Sequence, residues 1–124
     1  ELDNIISDVS QSAMTKVMAL SWRAAIFKAL SQREKALEDL NDAIELTENP
    51  PFEVIINRGI IFSELGRVNE SLFDMNRAIQ MDAKGITGLI NRSFVHFQHH
   101  DLDSSADDLL AALEKDPSQH SLRV

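Results

Sequence analysis

Apolar positions along the chain recur at helical spacing. Ile55, Gly59 and Phe62 fall three and four residues apart, the pattern stops at Leu65-Gly66, and a second run continues through Leu72, Met75, Ala78 and Ile79. Such spacing lines up side chains on one face of an α-helix, and a glycine just past the last periodic residue fits a helix C-terminus. Asn69-Glu70 reads as the opening of the second run, and Asp103 or Ser104 as the cap of a similar helix further on. Alternation at period 2 is nowhere sustained, so strands are not expected. Leu2, Ile5, Ile6 and Val9 are also helically spaced and predict a short N-terminal helix.

The helix–stop–helix pattern repeats. Asn57-Arg58-Gly59-Ile60-Ile61-Phe62 aligns with Asn91-Arg92-Ser93-Phe94-Val95-His96 at an offset of 34, and Arg77-Ala78-Ile79 with Ala111-Ala112-Leu113. An offset of 35 carries the pattern back to Trp22-Arg23-Ala24-Ala25-Ile26-Phe27, the extra residue falling in the turn at Pro50-Pro51. Size is kept down the aligned columns. Ala24, Gly59 and Ser93 are small, as are Ala36, Ser71 and Ser105, and Ala43, Ala78 and Ala112. Small residues let paired helix backbones approach, while columns such as Leu40, Met75 and Leu109 fill the space beside them. Prolines at 50, 51 and 117 mark turns between units, since proline cannot continue a helix interior.

The 34-residue period, the paired helices and the small/large columns resemble the tetratricopeptide repeat family. The resemblance covers 17–119 as three tandem repeats, 17–51, 52–85 and 86–119, with 1–16 as a capping helix or the remnant of a preceding repeat and 120–124 as a tail. The departures are modest: the family's usual glycine is present as Gly59 but becomes Ala24 and Ser93, its tyrosine column reads Phe27, Phe62 and His96, and His100 replaces the loop glycine. The resemblance implies an all-α, right-handed α-solenoid. No polar capping helix follows the third unit, and such arrays normally need one. With Glu1 rather than Met at the start, the chain reads as a piece of a longer array or one whose C-terminal face is paired.

Composition narrows the function. The 124 residues include no cysteine, and 12 Lys+Arg against 20 Asp+Glu give a net charge of −8. Disulfides, Cys-zinc sites and thiol nucleophiles are excluded. The acidic balance argues against nucleic acid, and apolar runs as short as Ile60-Ile61-Phe62 cannot cross a bilayer. With no signal segment, a cytoplasmic location is expected. No nucleophile elbow, phosphate loop or zinc-protease motif is present, so no catalysis and no cofactor are expected. His96 and His100 have a spacing able to chelate a metal. However, His96 occupies a packed column, and a metal site needs a converging third ligand, so no metal is expected. Asp101 to Ser105 begins like a calcium loop but offers Ala106 and Ala112 where Gly and Glu are required.

Two columns carry charge. Arg23, Arg58 and Arg92 each precede an aspartate, Asp39, Asp74 and Asp108, by 16 residues, across a helix pair. Matching columns of opposite sign suit a repeated internal contact, a ladder of charge-assisted hydrogen bonds; the alternative is that the arginines bind an acidic ligand. The family resemblance implies that the first helix of each unit lines a concave groove. That groove would hold Trp22, Ala25, Lys28 and Ala29, then Glu53, Ile56, Asn57, Ile60, Ser63 and Glu64, then Thr87, Ile90, Asn91, Phe94, Phe97 and Gln98. An apolar set of this kind marks an interaction surface, with Trp22, Phe94 and Phe97 as anchors and the amides of Asn57 and Asn91 able to hold a peptide backbone. The expected partner is a protein or peptide; the alternative is self-association, or a groove filled by the protein's own helix. Relatives that clamp the acidic tails of chaperones use Lys and Asn on the first unit's first helix, Asn on the second unit's and Lys and Arg on the third unit's. The matching places here read Met18 and Trp22, then Thr87 and Asn91. Only Asn57 fits, and Glu53 and Glu64 would repel such a tail, so binding of chaperone tails is not expected.

Overall fold

The computed structural model describes residues 13–116. The helix expected around Leu2 to Val9 and the tail from Pro117 onward lie outside the described residues. Six helices follow one another: α1 (Ala13–Ala29), α2 (Arg33–Glu45), α3 (Phe52–Glu64), α4 (Val68–Met81), α5 (Ile86–Gln98) and α6 (Leu102–Lys115). Among the described residues there is no strand. The most extensive packing is α1 with α2, α3 with α4, and α5 with α6, giving three hairpins; α2 then packs on α3, α4 on α5, and α3 on α5. The chain is an all-α helical repeat.

One turn closes all three hairpins. Ser31, Gly66 and His100 each sit in the left-handed region, with φ of 61°, 79° and 66°. The next amide, that of Gln32, Arg67 or Asp101, donates back to the carbonyl of Phe27, Phe62 or His96 at 2.8 Å in every case. The amides of Ser31, Gly66 and His100 donate to Lys28, Ser63 and Phe97. This is the Schellman arrangement, which satisfies carbonyls that a helix end leaves open. It also sets where the next helix begins. Asp101 ends the third turn, so α6 starts at Leu102, and the Asp101 carboxylate accepts from the Ser104 amide at 3.2 Å. The cap is therefore Asp101, two residues before the Asp103 or three before the Ser104 that the pattern suggested. For the same reason α4 opens at Val68, ahead of Asn69. Hydrogen bonding to Ser104 holds the Asp101 carboxyl below its ordinary value, with His96 adding to the effect.

The small columns lie where helices touch. A Cβ on Gly59 would meet the Met75 Cε at 2.8 Å and the Asp74 Cβ at 3.2 Å, and the Ser71 hydroxyl donates to the Gly59 carbonyl at 2.6 Å. Gly88 is tighter: a Cβ there would come within 2.9 Å of the Ile79 backbone nitrogen. Behind these approaches lie two packed clusters. One joins Val17, Leu20, Leu37, Leu40, Val54, Ile61 and Phe62 across the first and second hairpins. The other joins Ile55, Ile56, Met75 and Val95 across the second and third.

The Arg and Asp columns meet inside each hairpin. Arg23 Nε and Nη2 donate to the two carboxylate oxygens of Asp39, both at 2.8 Å, and Arg58 does the same with Asp74 at 2.8 Å. Arg92 pairs with Asp108 at 2.7 Å. All three aspartates are buried. Hydrogen bonding to Asp39 and Asp108 raises the Arg23 and Arg92 guanidinium groups above their ordinary value. The third nitrogen of two arginines reaches the preceding hairpin: Arg58 Nη1 donates to Asn41 at 3.1 Å, and Arg92 Nη1 to Asn76 at 2.7 Å.

Two predictions follow from this architecture, both read by urea denaturation. Open space surrounds the position of a Gly66 Cβ, so Gly66→Ala tests backbone strain alone and should cost about 1 kcal/mol. In the same turn, Ser31→Gly and His100→Gly should each stabilise by roughly 0.5 kcal/mol, strain relief outweighing the added unfolded-state entropy. Removing a carboxylate strands a partly buried guanidinium, so Asp74→Ala should cost about 3–5 kcal/mol. Its partner is the least exposed of the three arginines, at 17% against 23% for Arg23 and 28% for Arg92. The costs should therefore fall in the order Asp74, Asp39, Asp108, and a different order would mean that burial of the pair does not set its worth.

Candidate functional site

α1, α3 and α5 lie side by side and present a mixed apolar and polar face. Its exposed apolar side chains include Met18 and Trp22 on α1, at 57% and 70%, and Ile90, Phe94 and Phe97 on α5, at 48%, 47% and 60%. Their spacing explains this. Residues 90, 94 and 97 form one helical stripe, while Leu89, Ser93 and Val95 on the neighbouring stripes turn inward. Ile60 on α3 is half-buried against the second cluster.

Ile56 differs from expectation. It is 6% exposed and packs with Ile55, Met75 and Val95, so it belongs to the core and not to the groove surface. The physical reason is the neighbouring helix: α5 packs directly on α3 and covers a position that would be open on an isolated hairpin. Its repeat counterpart on α1 is Ser21, so this column changes from polar to apolar along the stack.

The polar residues of the face are partly committed to the protein itself. Asn91 donates from its side-chain amide to the Thr87 carbonyl at 2.9 Å, one turn back in its own helix. Gln98 accepts from the Ser63 hydroxyl at 2.7 Å, and the same hydroxyl lies 3.1 Å from His99 Nε2. Glu64 accepts from Arg33 at 2.9 Å and has Lys28 at 3.9 Å. These pairs tie α1 and α2 to the end of α3 and neutralise one of the two carboxylates expected on the face, leaving Glu53. Asn57 is exposed, and no hydrogen bond among the described residues engages its amide. It borders a cavity of about 140 Å³ between α1 and α3, lined also by Ser21, Ala24, Ala25, Lys28, Leu40 and Ile61.

The described histidines make separate contacts. The His96 ring lies between carboxylates, with Nδ1 3.8 Å from Asp101 and Nε2 3.7 Å from Asp108. His100 occupies the left-handed turn position. No group of three or more potential metal ligands converges among the described residues, and no helix there is long and apolar enough to cross a membrane. Sequence reasoning missed the acceptors Asn41 and Asn76. Their signal was present: they share a column at the same 35-residue offset that relates Arg23 to Arg58. It also missed the outer face of α6, where Leu102, Leu109, Leu110 and Leu113 are exposed.

Comparison with known proteins supports the repeat reading. No protein-family profile matches the chain. It is 25% identical over 100 residues to the human protein named tetratricopeptide repeat protein 6, covering 81% of this chain and 19% of that protein. It is 27% identical over 90 residues to heat shock protein STI1 of Saccharomyces cerevisiae, covering 73% of this chain and 15% of that one. The chain thus spans less than a fifth of either relative. Among solved structures, the second TPR of Spaghetti (RPAP3) bound to HSP90 peptide SRMEEVD superposes with a TM-score of 0.69 at 18% identity, covering 82% of this chain and 88% of that one. MamA superposes with a TM-score of 0.77 at 15% identity, covering 97% and 67%. Its helix pairs, its period and these likenesses together show an all-α helical repeat fold similar to that of tetratricopeptide repeat proteins.

Proposed function

We propose that this chain is a protein–protein interaction module, acting by binding and not by catalysis. It takes an apolar or amphipathic segment along the face of α1, α3 and α5. We divide it into repeats at 17–51, 52–85 and 86–119. The observation that carries the reading is the exposed row Ile90, Phe94 and Phe97 on α5, with Trp22 across the same face. Large aromatic side chains held on rigid helices lose little entropy on binding and dominate interface energetics. Asn57 supplies a donor and an acceptor beside this row. The structural neighbour bound to an HSP90 peptide supports the idea that a scaffold of this shape holds a peptide.

A second reading is self-association or stacking against further helices. It is favoured by α6. Leu109 and Leu113 stand in the columns of Leu40 and Met75 and of Ile44 and Ile79, which the following hairpin covers in the first two units, yet on α6 both leucines are exposed. Concentration-dependent sedimentation separates this reading from a monomeric binding module.

In the groove reading, Phe94→Ala weakens the captured partner by more than about 1 kcal/mol, or roughly fivefold in Kd. Crosslinking capture from a lysate supplies the partner, and fluorescence titration of its binding segment measures the loss. Unchanged affinity in a folded variant removes the groove model. The same surface should not bind the peptide SRMEEVD: the places of the clamping cations are held by Met18 and Thr87, and Glu53 adds a like charge. Saturable, salt-sensitive binding of that peptide in a calorimetric titration overturns this exclusion.

A further inference from the structure

The stack contains the same gap twice, once filled and once open. Between α3 and α5 the column positions are Ile56 and Ile60, and both side chains pack into the second cluster. Between α1 and α3 the equivalent positions are Ser21 and Ala25. The two substitutions together remove most of two aliphatic side chains, and a cavity of about 140 Å³ stands where they would lie. A cavity of roughly 150 Å³ accommodates a group the size of benzene. The walls are Ala24, Ala25, Leu40 and Ile61, and the polar groups are Ser21, Lys28 and Asn57.

The hydroxyl of Ser21 is sealed from solvent and has no hydrogen-bond partner. That is an unfavourable state, because a helix serine ordinarily finds a backbone or solvent partner. Rotation about its single χ angle turns the hydroxyl toward the cavity that the residue lines. A second depression, lined by Met18, Trp22, Glu53 and Val54, begins on the other side of Ser21, so a chain lying along the face passes the cavity mouth. Ser21, Asn57 and Lys28 can all donate a hydrogen bond, and lysine can only donate.

We propose that this cavity is a side-chain pocket for a ligand residue with a short aliphatic stem ending in an sp² oxygen acceptor, as in glutamine or glutamate. The stem lies against Ala24, Ala25, Leu40 and Ile61, and the oxygen accepts from Ser21 and from the donors at the mouth. The pocket belongs to the peptide-binding face proposed above and rests on that reading for its biological occupant, but its chemistry can be tested without any peptide.

The test uses isotope-labelled full chain and three probes of equal stem length: butyramide, butyrate and n-butylammonium. Amide chemical shifts of residues 21–28 and of Asn57 are followed during titration. Butyramide, butyrate or both should give saturable shifts there, and the stronger of the two distinguishes a glutamine from a glutamate occupant. The n-butylammonium ion should give none. Ser21→Ala should weaken binding about fivefold, the loss of one hydrogen bond. Ala25→Ile, which restores the residue found at position 60, should abolish binding and raise the melting temperature by filling the void. Ala25→Val serves where the larger residue does not fold. Absence of saturable shifts with both oxygen-bearing probes overturns the proposal, as does equal binding of n-butylammonium or binding indifferent to Ala25→Ile. A failed Phe94→Ala experiment with probe binding intact removes the groove reading and leaves the pocket; the converse removes the pocket alone.

Discussion

Each hairpin of this protein is held in register by a guanidinium that must be fully paired because its carboxylate is buried. Asp39, Asp74 and Asp108 are among the most enclosed polar residues of the chain. A buried charge is tolerated only when its partners meet it with good geometry. The fork of an arginine meets both carboxylate oxygens at once, which leaves the two helices of a hairpin no freedom to slide past one another. The remaining nitrogen of Arg58 and Arg92 then reaches Asn41 and Asn76 on the hairpin before. The same side chain therefore fixes the register within a hairpin and its seating on its neighbour. Apolar packing supplies most of the driving force for such a stack but specifies position weakly; the ladder specifies position.

The size columns are subordinate to that register. With the Arg–Asp pair in place, the backbones at Gly59 and Ser71 come within hydrogen-bond reach of a serine hydroxyl, and α5 crosses α4 so closely that a Cβ at Gly88 would collide with the Ile79 backbone. Small residues at these points are required by the approach and do not cause it. The three turns complete the arrangement. Their hydrogen bonds are the same whether the left-handed residue is Gly66, Ser31 or His100, so the turn is dictated by the docking of the helices, and the two non-glycine residues bear its strain.

The repeat was legible because it is written in residue types: the period, the small columns and the Arg–Asp spacing depend only on identity and offset. The fate of individual face residues was not legible, because it depends on the next helix. Ile56 was expected on the groove face and is buried, since α5 covers it. Asn91 and Gln98 looked available and are engaged by Thr87 and Ser63. Glu64 looked like open negative charge and is paired with Arg33, which lies 31 residues away in sequence. The cap of α6 was misplaced because helix starts here follow from the preceding turn and not from the best capping residue nearby. In each case a local signal was overruled by a contact one helix or one hairpin away.

Departures from the repeat also carry their own compensation, and the ring column shows how. Phe27 has Arg23 and Lys35 near its face, both at 5.8 Å from the centroid, and Phe62 lies between Arg58 at 5.5 Å and Arg67 at 4.8 Å. A phenyl face attracts cations through its quadrupole. In the third unit the ring is His96, whose nitrogens can donate hydrogen bonds, and its surroundings change sign. The residue five positions on, Arg67 in the second unit, becomes Asp101, and the imidazole sits between that carboxylate and Asp108. The substitution of ring and the substitution of charge form one change, distributed over two positions of the hairpin. Ser21 and Ala25 break the pattern in the opposite sense. They are small where their counterparts are large, and no larger side chain among the described residues fills the space. A repeat that adjusts its neighbours at position 96 but leaves a void at positions 21 and 25 has an opening on the face where Trp22, Phe94 and Phe97 stand exposed.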